Sequence, residues 1–208
     1  EKPQPQEDVT TYITTSDGIR LFRKGSLKFA KPGSMSPNQL RFEDDAAAKE
    51  VDGFGLAVTT ASAYNLLKMS QEDRTAILTE LFSPTEGAGS GLIRVSIGAS
   101  DFCLKDEYTW CDTKGLENFA VAKEDKDYLF PVLKEIYAIN PDVKIIGSPW
   151  SCPKWMKGGS YGYEKFDKKY LERDFPNWTS GRLKPSCYAD YATYFVKWIQ
   201  TMQSEGFK

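Results

Sequence analysis

A chain of 208 residues with 40% apolar and 27% charged residues can form a sizeable core, and it has no uninterrupted apolar stretch approaching the ~18 residues that a membrane-spanning helix needs. Its 27 basic and 29 acidic residues give a net charge of -2, which excludes the broad positive surface of a nucleic-acid-binding protein. There is no histidine, so any chemistry must use carboxylates, lysines, tyrosines or thiols. We expect no cofactor, no metal and no nucleic-acid partner.

The cysteines and the amino terminus bear on the compartment in which the protein works. Cys103, Cys111, Cys152 and Cys187 contain no C-x-x-C pair and, without histidine, make a poor zinc site. They permit two disulfides in an exported protein or buried free thiols in a cytoplasmic one. Residues 1–8 carry no apolar side chain, which predicts a flexible leader and not a signal peptide. We expect an exported protein, periplasmic, at the cell surface or extracellular, whose signal peptide is absent from this sequence.

The N-terminal part of the chain has the pattern of a β domain. Short apolar and β-branched runs alternate with turns that contain glycine, which predicts strands. The runs are residues 9–15, 19–22, 27–29 and 39–42. After an acidic stretch the pattern changes to alternating strands and helices, so we predict a domain boundary near residue 45.

The rest of the chain alternates apolar strands with amphipathic helices. The predicted strands are residues 53–59, 92–97 and 143–148, and the predicted helices are residues 62–69, 70–83, 125–139 and 188–205. Ser70 followed by Asp73 is typical of a helix cap, and Pro84 ends that helix. Apolar strands that are each followed by a helix predict three parallel β/α units, with functional residues at the carboxyl ends of the strands.

Two of these strand ends carry candidate ligand-binding side chains. Arg94 lies among aliphatic residues in the second strand, where a charge needs a carboxylate or an anion nearby, and Asp101 follows that strand. Trp150 and Trp155 follow the third strand in a loop with two prolines, where exposed indoles suit stacking on a sugar ring. A purely structural ion pair between Arg94 and Asp101, and a core position for Trp155, are the alternatives.

The segment between Trp155 and the last helix shows no clear helical period but is rich in aromatic residues, which indicates an ordered loop. The loop either contacts a ligand or packs as a lid. Its aromatic residues include Tyr161, Tyr163, Phe166, Tyr170, Phe175 and Trp178.

Several motifs between residue 45 and the end of the chain are informative in their order and spacing. They are Val51-Asp52-Gly53-Phe54-Gly55, residues 92–102, Tyr108-Thr109-Trp110-Cys111-Asp112, Ser148-Pro149-Trp150, and Leu183-Lys184 followed by residues 191–195. In these motifs the chain resembles the family 30 glycoside hydrolases, which include lysosomal glucosylceramidases and bacterial β-1,6-glucanases. The resemblance implies a (β/α)8 TIM barrel, with the N-terminal strands belonging to a β-sandwich beside it.

The resemblance also implies roles for individual residues. Asp101 matches the aspartate that hydrogen-bonds sugar hydroxyls in the -1 subsite, and Trp150 matches the tryptophan that lines the same pocket. Arg94 matches the arginine beneath the catalytic carboxylates, while Phe102 and Trp110 match pocket-wall positions. Together with the strand-end argument, these matches predict that Arg94, Asp101 and Trp150 converge at one mouth.

The chain departs from the family pattern in two ways. Thr60 stands where many members have aspartate, which alters a local hydrogen-bond network without removing a catalytic group. Retaining members use two glutamates set ~5 Å apart, an acid/base after strand four and a nucleophile after strand seven. We expect both glutamates to lie beyond Lys208.

The sequence therefore predicts an α/β protein with a flexible leader (1–8), sandwich strands (9–45) and the first three to four β/α units of a TIM barrel (46–208), ending in an open sheet edge. The predicted function is that of a retaining β-glycosidase of the glucosylceramidase type, acting on a β-glucoside or β-glucan and inactive as the 208-residue chain alone. An endo-β-1,6-glucanase, a non-catalytic carbohydrate-binding fragment, and an inverting enzyme using Asp101 and Asp112 are the alternatives.

Overall fold

The computed structural model describes residues 8–28, 51–105, 107–159, 168–175 and 177–208. The chain divides into two compact units, residues 1–49 and 50–208.

The first unit contains an antiparallel hairpin. Strand β1 (Asp8–Ile13) pairs with β2 (Arg23–Lys28). The predicted strand at 9–15 is therefore confirmed, whereas residues 19–22 lie in the connection between the two strands. The predicted strand at 39–42, the boundary near residue 45 and leader residues 1–7 lie outside the described residues.

The second unit is built on a parallel sheet with the strand order β3-β4-β5. Its larger elements are β3 (Gly55–Ala57), α1 (Thr60–Lys68), α2 (Gln71–Phe82), β4 (Leu92–Ile97), α3 (Phe130–Ile139) and β5 (Lys144–Pro149). A single π-type turn (Asp125–Leu129) leads into α3, which completes the predicted helix. The predicted strands and their order along the chain are confirmed, so the parallel α/β class holds.

The segment after β5 contains short elements that the sequence pattern does not reveal. They are β6 (Lys157–Gly158), α4 (Lys168–Glu172) and β7 (Arg182–Leu183), followed by the long helix α5 (Tyr188–Ser204). Strands β6 and β7 are antiparallel, and Gly158 is required there because a Cβ would lie 1.7 Å from the carbonyl oxygen of Leu171. The aromatic residues at 161, 163 and 166 lie outside the described residues. None of the helices in the described ranges is long and apolar enough to cross a membrane.

Local chemistry explains where the second helix begins. The Ser70 hydroxyl accepts a hydrogen bond of 3.1 Å from the backbone N–H of Asp73 and donates one of 2.7 Å to the Asp73 carboxylate. This reciprocal pair satisfies one of the free N–H groups of the first turn, as a cap should. The predicted cap is confirmed, and α2 ends just before Ser83 and Pro84.

The core lies between the sheet and the helices, and the two-residue period of a strand decides which side chains enter it. Ile93, Val95 and Ile97 point toward the helices and are buried, whereas Arg94 lies on the other face and is exposed. Ile146, which pairs with Arg94 in the sheet, is likewise exposed. The buried set also includes Leu78, Phe82, Val132, Leu133, Ile136, Val143, Tyr194, Trp198 and Met202.

The outer edge of β5 meets the last residue of the chain. Lys144 donates its backbone N–H to Gly91, on the β4 side, at 2.9 Å. The next N–H, that of Ile145, therefore points away from β4, and it donates to the carbonyl oxygen of Lys208 at 3.1 Å. Within the described residues no further strand pairs with this edge.

The hydroxyl of Thr60, which stands where many family members have aspartate, allows a test of how this substitution affects stability. Its Oγ1 is buried near the Tyr108 hydroxyl, but that hydroxyl donates to Asp125, and no described residue forms a well-aligned hydrogen bond with Thr60 Oγ1. A buried hydroxyl that is poorly satisfied is costly. We expect Thr60→Val to raise the free energy of unfolding by about 1 kcal/mol. Thr59→Val is the matched control, because the Thr59 hydroxyl caps α1 by accepting from the N–H of Ser62 at 3.2 Å, and its loss should cost about 1 kcal/mol. Urea unfolding of the full-length protein measures both changes, and a destabilised Thr60→Val would contradict the expectation.

Candidate functional site

A cavity of about 490 Å³ opens at the carboxyl ends of β4 and β5. It is lined by Ser100, Asp101, Trp150, Trp178 and Thr179. The structure therefore brings two of the predicted site residues, Asp101 and Trp150, into one cavity. This is the edge of a parallel sheet at which β/α proteins bind their ligands.

Backbone contacts shape the loop that carries Asp101. Gly98 adopts a φ of 81°, where a Cβ would lie 2.9 Å from the carbonyl oxygen of Tyr108. The next residue, Ala99, donates its N–H to that same carbonyl at 2.9 Å. Asp101 itself is exposed and forms no ion pair with any described residue, so its carboxylate can accept hydrogen bonds from hydroxyl groups in the cavity.

The structure separates the roles of the two tryptophans in the loop after β5. Trp150 is 50% exposed and lines the cavity. Trp155 packs against the core and donates its indole N–H to the carbonyl oxygen of Cys111 at 2.8 Å. Trp155 is thus a structural residue, and Trp150 has the exposed ring that could stack on a sugar.

Arg94 and Phe102 do not line this cavity. Arg94 lies within β4, on the exposed face of the sheet, and its predicted ion pair with Asp101 does not form among the described residues. Phe102 follows Asp101 in sequence but is 67% exposed.

Trp110, predicted as a pocket wall, lies in the core with 2% of its surface exposed. Its indole N–H donates to the carboxylate of Asp125, to which the Tyr108 hydroxyl also donates at 3.1 Å. Burial raises the pKa of Asp125 to about 7, although both donors oppose this rise by stabilising the charged form. The sequence pattern concealed Asp125, because it falls inside an otherwise ordinary helix prediction.

Asp112 belongs to a second cavity, of about 210 Å³, that Tyr108 and Trp178 also line. Its carboxylate accepts hydrogen bonds from the backbone N–H of Thr109 at 2.8 Å and from the Thr109 hydroxyl at 2.7 Å. Asp112 therefore stabilises a turn, and it does not share a cavity with Asp101. The two hydrogen bonds from Thr109 engage the Asp112 carboxylate in this turn, which disfavours an inverting mechanism that would use Asp101 and Asp112 together.

Ser100, Trp178 and Thr179 are the cavity residues to which the sequence assigned no individual role. Trp178 is 7% exposed and packs against Ala99 and Tyr108, behind the Asp101 loop. Its place among the many aromatic residues of the long loop is the only signal the sequence offered. All four cysteines carry free thiols.

A parallel β/α sheet whose strand ends hold a carboxylate and an exposed indole defines an α/β domain with a candidate ligand pocket at the carboxyl ends of its strands. The family model described as Glycosyl hydrolase family 30 TIM-barrel domain matches residues 51–208. The chain belongs to this family.

The proteins similar to this chain include both endo-β-1,6-glucanases and a glucosylceramidase. A solved structure described as an endo-β-1,6-glucanase is 47% identical with a TM-score of 0.80, covering 97% of this chain and 42% of that one. The endo-1,6-β-D-glucanase of Neurospora crassa is 33% identical, covering 98% of this chain and 41% of that protein. The lysosomal acid glucosylceramidase of Mus musculus is 28% identical, covering 89% of this chain and 36% of that protein. The chain thus spans less than half the length of these relatives.

Proposed function

We propose that the full-length protein is a retaining β-glycosidase that hydrolyses O-glycosyl bonds of β-glucosides or β-glucans, and that the cavity of about 490 Å³ is its sugar-binding subsite. The observation that carries the proposal is that Asp101 and Trp150, from two separate strand ends, line one cavity in a chain of this family. The carboxylate of Asp101 would accept hydrogen bonds from sugar hydroxyls, and the indole of Trp150 would pack on the apolar face of the ring.

The chemistry itself needs a pair of carboxyl groups. In a retaining enzyme one carboxylate attacks the anomeric carbon while the other group protonates the leaving oxygen and later activates water. We propose that both are glutamates in a part of the protein beyond residues 1–208. The carboxylate of Asp112 is engaged by the backbone N–H and the hydroxyl of Thr109, which supports this proposal because Asp112 already has a structural role.

The proposal extends to the fold. Residues 51–208 would form the first three to four β/α units of the barrel, and the β1-β2 hairpin would belong to a β-sandwich. The parallel strand order β3-β4-β5 and the family match over residues 51–208 support the barrel proposal. Export from the cytoplasm is part of the same proposal.

A β-1,6-glucan is the substrate that the comparisons favour first, because the relatives of 47% and 33% identity carry that activity in their names. Glucosylceramide is the second candidate, on the similarity to the mouse enzyme. The full-length protein should be incubated separately with a linear β-1,6-glucan, a β-1,3-glucan and glucosylceramide in detergent.

The size and anomeric form of the first products decide among the candidates. We expect oligosaccharides from the β-1,6-glucan, released initially as the β anomer, which proton NMR detects. An initial α anomer would contradict retention. Tight glucan binding without hydrolysis would instead indicate a carbohydrate-binding protein.

A further inference from the structure

Lys157 is a buried cation beside the cavity wall, with 5% of its surface exposed. Its Nζ donates one hydrogen bond to the carbonyl oxygen of Trp178 and another, of 2.8 Å, to that of Ser180. The same Nζ lies 5.9 Å from the centre of the Trp178 ring, within cation–π range. Burial lowers the pKa of Lys157. The ammonium group is thus stabilised by two carbonyl dipoles and an indole face of a single short segment.

A second side chain, that of Ser151, also donates a hydrogen bond to the carbonyl oxygen of Trp178. Ser151, directly after Trp150, donates its hydroxyl to the Trp178 carbonyl oxygen at 2.7 Å. The Trp178 carbonyl therefore receives donors from two directions, one from β6 and one from the loop after β5. These contacts connect the segment that contains Trp178 and Thr179 to the loop that presents Trp150.

Hydrogen bonds within residues 177–180 also give this segment a defined local conformation. The side-chain oxygen of Asn177 accepts hydrogen bonds from the N–H of Thr179 at 2.9 Å and from the N–H of Ser180 at 3.0 Å. This local turn gives the segment a defined shape but does not attach it to the rest of the protein. The attachment comes from Lys157 and Ser151.

We propose that Lys157 is a positioning residue that holds Trp178 and Thr179 at the wall of the cavity and so sets the width of the sugar-binding subsite. The inference rests on the proposed function. A buried ammonium suits this task, because moving the segment away would leave a desolvated charge without acceptors. A flexible wall would weaken substrate binding more than the chemical step, since the residues that Lys157 holds do not react.

The test uses two variants of the full-length protein and a β-1,6-glucan substrate. Lys157→Met keeps the aliphatic stem and removes all donors, and it should raise KM about fivefold while kcat stays within about twofold. Ser151→Ala removes the other donor to the Trp178 carbonyl without touching a charge, so it should raise KM by a smaller factor. Lys157→Arg, which keeps the charge and the donors, should recover part of the loss.

Lys184 provides a matched control. It is also a buried lysine, and it donates to the Asp174 carboxylate at 2.7 Å and to the carbonyl oxygen of Trp155 at 3.4 Å, away from Trp178 and Thr179. Lys184→Met should lower the melting temperature, as Lys157→Met does, but leave KM unchanged.

The results distinguish a failure of the Lys157 inference from a failure of the proposed function. A raised KM in Lys157→Met and Ser151→Ala, with an unchanged KM in Lys184→Met, supports the inference. An unchanged KM in Ser151→Ala and in folded Lys157→Met, or an equal rise in Lys184→Met, overturns it while the proposed function stands. If Lys157→Met does not fold, Ser151→Ala alone decides. A wild-type protein that neither binds nor hydrolyses the glucan overturns both.

Discussion

Replacing Asp101 with alanine in the full-length protein should lower kcat/KM for a β-glucoside by between about 10-fold and about 100-fold. The reason is the position of its carboxylate, which is exposed, unpaired among the described residues and part of the cavity that Trp150 also lines. Hydrogen bonds to sugar hydroxyls strengthen as the ring flattens toward an oxocarbenium-like transition state. The loss should therefore fall mainly on kcat and less on substrate binding.

Asp142 offers the control for this substitution. It is an exposed aspartate that precedes β5, at the opposite end of the strand from Trp150, and it pairs with Lys208 at 3.4 Å. Asp142→Ala should leave kcat/KM within about twofold of the wild-type value. A loss of less than about tenfold in Asp101→Ala, equivalent to ~1.4 kcal/mol, would show that Asp101 does not contact the reacting sugar.

The contribution of Asp125 to the stability of the protein should fall as the pH rises from about 4 to about 7. Burial raises the pKa of this carboxyl from 3.8 to about 7, so in that window the folded state holds a proton that the unfolded state has released. Between these two pKa values, Asp125 should change the free energy of unfolding by about -1.4 kcal/mol for each unit that the pH rises. Above about pH 7 the carboxyl is ionised in both states and the full cost of burying its charge remains.

Asp125→Asn isolates this contribution, since the amide has the same shape, can still accept from Trp110, and does not ionise. The 208 residues contain no histidine, which removes the side chains that ordinarily titrate between pH 5 and 8. The difference in melting temperature between the wild type and Asp125→Asn should therefore change steadily from pH 5 to 7. The indole N–H resonance of Trp110, which donates to Asp125, should titrate with a midpoint near 7. A midpoint below about 5 would show that the carboxyl is solvated and ionised like an ordinary aspartate.

Asp125 also links the buried core to the loop that carries Asp101 through a chain of hydrogen bonds. It accepts from Tyr108 and Trp110, and the carbonyl oxygen of Tyr108 in turn receives the N–H of Ala99, two residues before Asp101. The polar groups behind the cavity are therefore part of the support of the Asp101 loop. We expect substitutions at Asp125 to alter activity as well as stability.

The alternation of strands and helices was readable from the sequence, because apolar periodicity and helix caps are local properties. The strand at 92–97 and the cap at Ser70 are both found as predicted. The convergence of Asp101 and Trp150 followed from topology, since neighbouring parallel strands bring their carboxyl ends to one edge of the sheet.

The environment of each polar or aromatic side chain was decided by contacts between segments far apart in the chain. The buried Trp110 donates its indole N–H to Asp125, 15 residues later, and the half-buried Trp155 donates to the carbonyl oxygen of Cys111, 44 residues earlier. Arg94 lies on the face of the sheet opposite the helices, although its neighbours in sequence are aliphatic. The hydrogen bond from Lys157 to the carbonyl oxygen of Trp178 joins residues that are 21 positions apart in the chain. Residue types and periodicity carry no information about such pairings, because desolvation and hydrogen bonding depend on which distant groups the fold brings within reach.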